Sequence, residues 1–198
     1  MKTENRVFLA GLILLFIQSV LVLFFWNALV SALLMTAGII CVAISAIRDH
    51  KLVAWLPMYI LICEMHIFVQ TGSGTLLMFY YVLLVCNVLY AVFGRKRADL
   101  QQFLYAGAFG KLCFIPEVVL NVSLYFATGM SLYLGLAYSM IFITSAYVIS
   151  WLFDKAENSA MTPGKFIAQM VGLLVAVADI VLTAIYVREC YNQISGKK

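Results

Sequence analysis

An all-α bundle of membrane-crossing helices is the fold class this sequence predicts, and three observations predict it. First, 65% of the 198 residues are hydrophobic and only 11% are charged, with a mean hydropathy of +1.01. Soluble domains carry about 25% charged residues, and thirteen Lys/Arg with nine Asp/Glu cannot dress a soluble surface over so much apolar mass. That excludes a soluble enzyme, a nucleic-acid binder and a disordered chain. Second, the apolar runs reach the roughly 20 residues that a spanning helix needs. Third, short polar breaks separate those runs, and the basic residues gather in alternate breaks.

Taken in order, the elements are seven transmembrane helices. Lys2 and Arg6 precede an apolar run from Val7 to Ile47, too long for a secretory leader and twice the length of one span. It divides at Trp26–Asn27, where an interfacial aromatic meets a turn-former. Helix 1 is therefore Val7–Trp26 and helix 2 Ala28–Ile47. Arg48–Lys51 is a loop, and helix 3 follows over Leu52–Gln70. The Thr71-Gly72-Ser73-Gly74 turn leads to helix 4, Thr75–Phe93. The basic loop Arg95-Lys96-Arg97 comes next, and most simply fixes topology. Helix 5 is Phe103–Ala127 and helix 6 is Gly129–Phe153. Asp154–Lys165 is the longest polar loop, broken by Pro163-Gly164. Helix 7 is Phe166–Val187, with a short polar tail. All form a single transmembrane domain, residues 1–198.

Lys and Arg favour the cytoplasmic side of a membrane. Placing the N-terminus inside puts Arg48, Lys51, Arg95, Lys96, Arg97, Lys155 and Lys165 inside as well, and leaves the outer loops without Lys or Arg. Seven spans then send the C-terminus outside. Arg188, Lys197 and Lys198 fit that poorly, so a re-entrant or absent helix 7 is the alternative. The expected location is the plasma (inner) membrane.

No CxxC or Cys/His zinc spacing occurs among the five cysteines, which read as small apolar residues. No metal or cofactor is expected. No nucleotide-binding or nucleophile-elbow motif is present, so any chemistry lies within or at the membrane.

Charge at mid-membrane is costly and marks function by default. Glu64, His66, Lys111, Glu117 and Asp179 all fall well inside these helices. At about 1.5 Å of rise per residue, Glu64, Glu117 and Asp179 come out at similar depth, and the expectation is one pocket shared by all three. Gln169, Gly172, Ala176, Asp179 and Thr183 form a small-and-polar seam on helix 7, the kind of face along which membrane helices approach. Glu117 and Asn121 share a face of helix 5. Helix 4 offers Tyr80, Asn87 and Tyr90, and helix 6 offers Ser131, Gly135, Tyr138 and Ser145. Glu64 and His66 face nearly opposite ways, which predicts a central helix 3. Pro116 removes a backbone donor and frees the Leu112 carbonyl. Lys111 can snorkel to the inner interface, with an ion pair to Glu117 or Asp179 as the alternative.

The reading that follows is a transporter or permeation protein for a small cationic or proton-linked solute. Glu117 and Asp179 would hold charge, His66 and Glu64 would relay protons, and Asn87 and Asn121 would donate hydrogen bonds. His66 as a packing residue, and the acids as mere glue between helices, are the plainer readings. Two other functions compete: a membrane-embedded enzyme acting on lipids, and a non-catalytic subunit, sensor or immunity protein. The expected partners are the lipid bilayer, the solute or proton, and a second copy or another membrane subunit, but no nucleic acid.

Overall fold

A computed structural model describes residues 3–24, 28–94, 99–158 and 161–195. The predicted turn at Trp26–Asn27 and the basic loop Arg95–Arg97 lie outside them, as do Lys2, Lys197 and Lys198. The described residues form eight α-helices: α1 (Thr3–Phe24), α2 (Ala28–Arg48), α3 (Trp55–Thr71), α4 (Gly74–Gly94), α5 (Leu100–Thr128), α6 (Ser131–Asn158), α7 (Pro163–Leu173) and α8 (Ala176–Ser195). Stretches in α2 through α6 are long and apolar enough to cross a membrane; α1 contributes a shorter apolar stretch, Arg6–Leu21. A multi-pass membrane bundle follows.

The first six helices run up and down. Gln18 Nε2 donates to Ser31 Oγ at 2.5 Å, and Gly11 lies against Gly38, so α1 and α2 are antiparallel. Asp49 caps a short 3-10 helix, His50–Ala54, by accepting from the Lys51 amide; the predicted loop is therefore largely helical. Gly72 and Gly129, with φ of 62° and 70°, end α3 and α5 in the left-handed conformation, which glycine adopts at little steric cost. Asp99 caps α5, starting it three residues before the predicted position, and α6 runs five residues past Phe153.

Several contacts place one end of the bundle. Phe8 packs edge-on against Trp55 at 5.1 Å, and Trp55 Nε1 donates to Gln102 Oε1 at 2.8 Å. Lys51 pairs with Asp99 at 3.6 Å. The start of α1, the starts of α3 and α5 and the connections before them thus share what we call the termini end.

Helix 7 departs from expectation. It breaks at Leu174–Val175, and the two legs double back. A Cβ on Gly172 would lie 2.6 Å from Leu182 Cδ1, whereas residues ten apart in one straight helix are about 15 Å apart. The turn closes through Leu174 N–H to Val171 O and Val175 N–H to Gly172 O, both 3.1 Å. At α8's far end Tyr186 packs on Trp151 with ring centroids 5.2 Å apart, and Tyr105 Oη donates to Cys190 Sγ at 3.6 Å. Glu189 pairs with Lys155. These partners sit at the start of α5 and the end of α6. The described part of the C-terminal helix therefore returns to the termini end, and the predicted continuous helix Phe166–Val187 is instead a hairpin of two helices. At about 1.5 Å per residue the 11 residues of α7 cover only half a bilayer.

Helix α3 packs against α1, α2, α4 and α5, as expected of a central helix, but α5 shares the centre, touching α1, α3, α6 and α8. Its glycines allow this. A Cβ on Gly107 would lie 2.9 Å from Thr144 O, and one on Gly110 3.0 Å from Thr144 Cγ2, so α5 and α6 meet almost backbone to backbone. Pro116 is accommodated within an unbroken α5.

Candidate functional site

Helix α5 carries two buried charged side chains six residues apart, Lys111 and Glu117. Six residues turn a helix by about 240° and advance it by about 9 Å, so the two look toward different neighbours. Each meets an opposite partner there.

On one side, Lys111 Nζ lies 2.6 and 2.8 Å from the two carboxylate oxygens of Asp179, and also donates to Thr144 Oγ1 at 3.2 Å and Ser145 Oγ at 3.1 Å. Lys111 is 8% exposed and Asp179 1%. The ammonium thus does not snorkel to an interface; its donors are taken up within the bundle. Asp179 stands in the first turn of α8. The amide dipoles at that helix start add to the ammonium in favouring a negative charge. Thr144 and Ser145 stand in the middle of α6, so this pair sits at mid-bundle. A cavity of about 180 Å³ opens beside it, walled by Phe114, Ile115, Val118, Met140 and Ile180 with the ion pair at its base.

On the other side, His66 Nε2 lies 2.8 Å from Glu117 Oε1, both side chains fully buried. The contact is aligned as a charge contact, not as a linear hydrogen bond. His66 Nδ1 lies 2.5 Å from the Ile62 carbonyl. A carbonyl only accepts, so Nδ1 carries a proton. The contact suits an imidazolium beside a carboxylate or a neutral imidazole beside a carboxylic acid. Glu117 Oε2 is buried without a hydrogen-bond partner.

The three acids expected in one pocket are therefore divided. Glu117 faces α3, Asp179 faces α5 and α6, and Glu64 belongs to neither pair. Glu64 is half-buried, and its Oε1 is enclosed without a partner. Asn121 Nδ2 donates to the Glu117 main-chain carbonyl at 2.8 Å, not to the carboxylate. Asn87 lies elsewhere, accepting from Tyr147 Oη at 2.8 Å and donating to Leu83 O. The predicted seam from Gln169 to Thr183 does not form a single face, because the hairpin separates its two halves. Among the described residues no group of three or more His, Cys, Asp or Glu side chains is disposed to hold a metal ion.

Sequence reasoning missed Thr144, whose hydroxyl completes the lysine's surroundings. It also missed Tyr186 and Cys190, which extend Asp179's face of α8. Their spacing from Asp179 is helical: Tyr186 lies within the predicted helix 7 and went unread, whereas Cys190 lies beyond its predicted end at Val187. No family model matches this chain, and no curated protein or solved structure resembles it at a significant level.

Proposed function

We propose that the protein is a permeation protein or transporter for a small cation or a proton-linked solute, with Asp179 as the charge-carrying group. The observation that carries this reading is the Lys111–Asp179 pair, buried at mid-bundle and supplied in part by a helix that begins there. Broken helices at the midplane place charged groups and helix starts where ions can be held. A buried ion pair is a poor stabiliser compared with apolar packing of equal volume, which speaks for a functional reason to keep it. In this mechanism Lys111 and the incoming cation or proton compete for one carboxylate. When the solute or proton is on Asp179 the ammonium is released, and when it leaves the ammonium returns. His66 and Glu117, with one mobile proton between them, form a second protonatable station, and Glu64 a third.

Orientation follows from charge. Arg6, Arg48, Lys51, Lys155, Lys165 and Arg188 all lie in segments at the termini end. The segments joining α1 to α2, α3 to α4 and α5 to α6 contain no Lys or Arg. By the positive-inside rule the termini end is cytoplasmic, in the plasma membrane on this reading. The hairpin removes the conflict that a basic tail outside would create.

The test uses liposomes holding a pH-sensitive dye, with a potassium-valinomycin potential as the driving force and protons as the probe, alone and with added sodium. The unsubstituted protein should conduct or exchange protons, and Asp179→Asn should abolish the signal while eluting as a folded species. Glu117→Gln should reduce it at least tenfold. Flux unchanged in both variants would remove the proposal.

A further inference from the structure

Asp179 is enclosed, yet one face of its helix is polar all the way to the termini end. Thr183, Tyr186, Cys190 and Gln193 follow it at intervals of four, three, four and three residues, one stripe of a helix. The first three are 4%, 1% and 1% exposed. Burial of this kind normally comes with a hydrogen-bond partner. Thr183 Oγ1 and Tyr186 Oη have none. They are neighbours on the helix face, about 5–6 Å apart at Cβ, and Asp179 lies one turn above.

The lower end of the stripe opens into a polar cavity. Trp151, Asp154, Lys155, Asn158, Cys190 and Gln193 are among its walls, and it holds about 440 Å³. Two of those residues touch Tyr186. Trp151 packs on its ring at a tilt of 39°, and the Lys155 ammonium sits 5.6 Å from the ring centroid. Tyr186 thus stands between the cavity and Thr183, and Thr183 between Tyr186 and Asp179. From Cys190 to Asp179 the helix rises about 16 Å.

We infer that this face of α8 is a hydrated half-channel joining the cavity at the termini end to Asp179, with water and protons as its occupants. Two buried hydroxyls in series, each able to donate and accept, form the relay between a wet cavity and a carboxylate. A bridging water needs two to four polar partners, and Thr183, Tyr186 and Asp179 supply them. The inference rests on the proposed function for its purpose, but not for its test.

The test reads hydration directly. The unsubstituted protein, in lipid nanodiscs, is exposed to hydroxyl radicals made by radiolysis of water, and side-chain oxidation is mapped by mass spectrometry. Tyr147 is the internal control. It is as buried as Tyr186, but its hydroxyl is committed to Asn87. Tyr186 should oxidise at least fivefold faster than Tyr147; equal rates overturn the half-channel. Independently, Thr183→Cys should react with a charged methanethiosulfonate reagent at least tenfold faster than Val181→Cys, which is half exposed on another face of α8. Equal or reversed rates overturn the inference too. Labelling at Tyr186 and position 183 in a protein whose Asp179→Asn and Glu117→Gln variants both still conduct would sink the transport reading and leave the route standing. Flux that depends on Asp179 without labelling would do the opposite.

Discussion

Lys111 is the residue whose surroundings decide most. A lysine in a membrane helix usually extends its stem toward water. Here Asp179 reaches it first, and two hydroxyls take the remaining donors. Removing one partner of a buried pair leaves an uncompensated charge and costs about 3–5 kcal/mol, whereas replacing both with apolar residues is often neutral. Lys111→Met should therefore lower stability in an SDS titration by about 3–5 kcal/mol, and Lys111→Met with Asp179→Leu should recover most of it. A double variant as unstable as the single would show that the pair does not act as a unit. The charged residues themselves were legible as misfits in an apolar sequence, but their pairing was not. Depth along a helix can be counted from sequence; the rotation and packing that set Lys111 toward α8 and Glu117 toward α3 depend on tertiary contacts that no single helix encodes.

Elements were legible where composition changes sharply. The Gly72 turn and the long runs of α2 to α6 follow from local chemistry. Pro163, which reads as a breaker within a loop, is instead the first residue of α7, a position where its missing N–H costs nothing. The cap residues Asp49 and Asp99, each with a side chain accepting from the amide two residues on, were present in the sequence but read as loop. The break between α7 and α8 is different. Leu174-Val175 contains neither Pro nor Gly, and apolar residues of this kind fit a straight helix as well as a turn. Helix contacts make the more quantitative prediction. Gly107 faces the α6 backbone, so Gly107→Ala should destabilise by about 1–3 kcal/mol through overpacking. Gly135 has nothing within 4 Å of a built Cβ, so Gly135→Ala should be neutral or stabilising by up to about 1 kcal/mol on helix propensity. Unfolding midpoints in detergent measure both; equal effects would mean that α5 and α6 do not meet as closely as described.

At the scale of the whole molecule, the membrane class and the five long apolar helices α2 to α6 could be read from hydropathy, while the fate of the last segment could not. Its sequence is apolar enough to suggest a crossing; the approach of Gly172 to Leu182 and the contacts of Tyr186, Glu189 and Cys190 reveal that it turns back. Short epitope tags at the two ends of the chain should accordingly be digested by protease from the same face of sealed vesicles. Protection of one and cleavage of the other would restore the seven-span topology. The hairpin also bears on how the protein is made. A leg of 11 residues is too short to be held by the bilayer alone, and its partner carries Asp179 into the apolar layer. Neither leg is a stable insertion unit by itself. The hairpin, which follows α5 and α6 in the chain, must then wait at the membrane surface until those two have met and offer it Lys111, so its seating is a docking event and not a threading event.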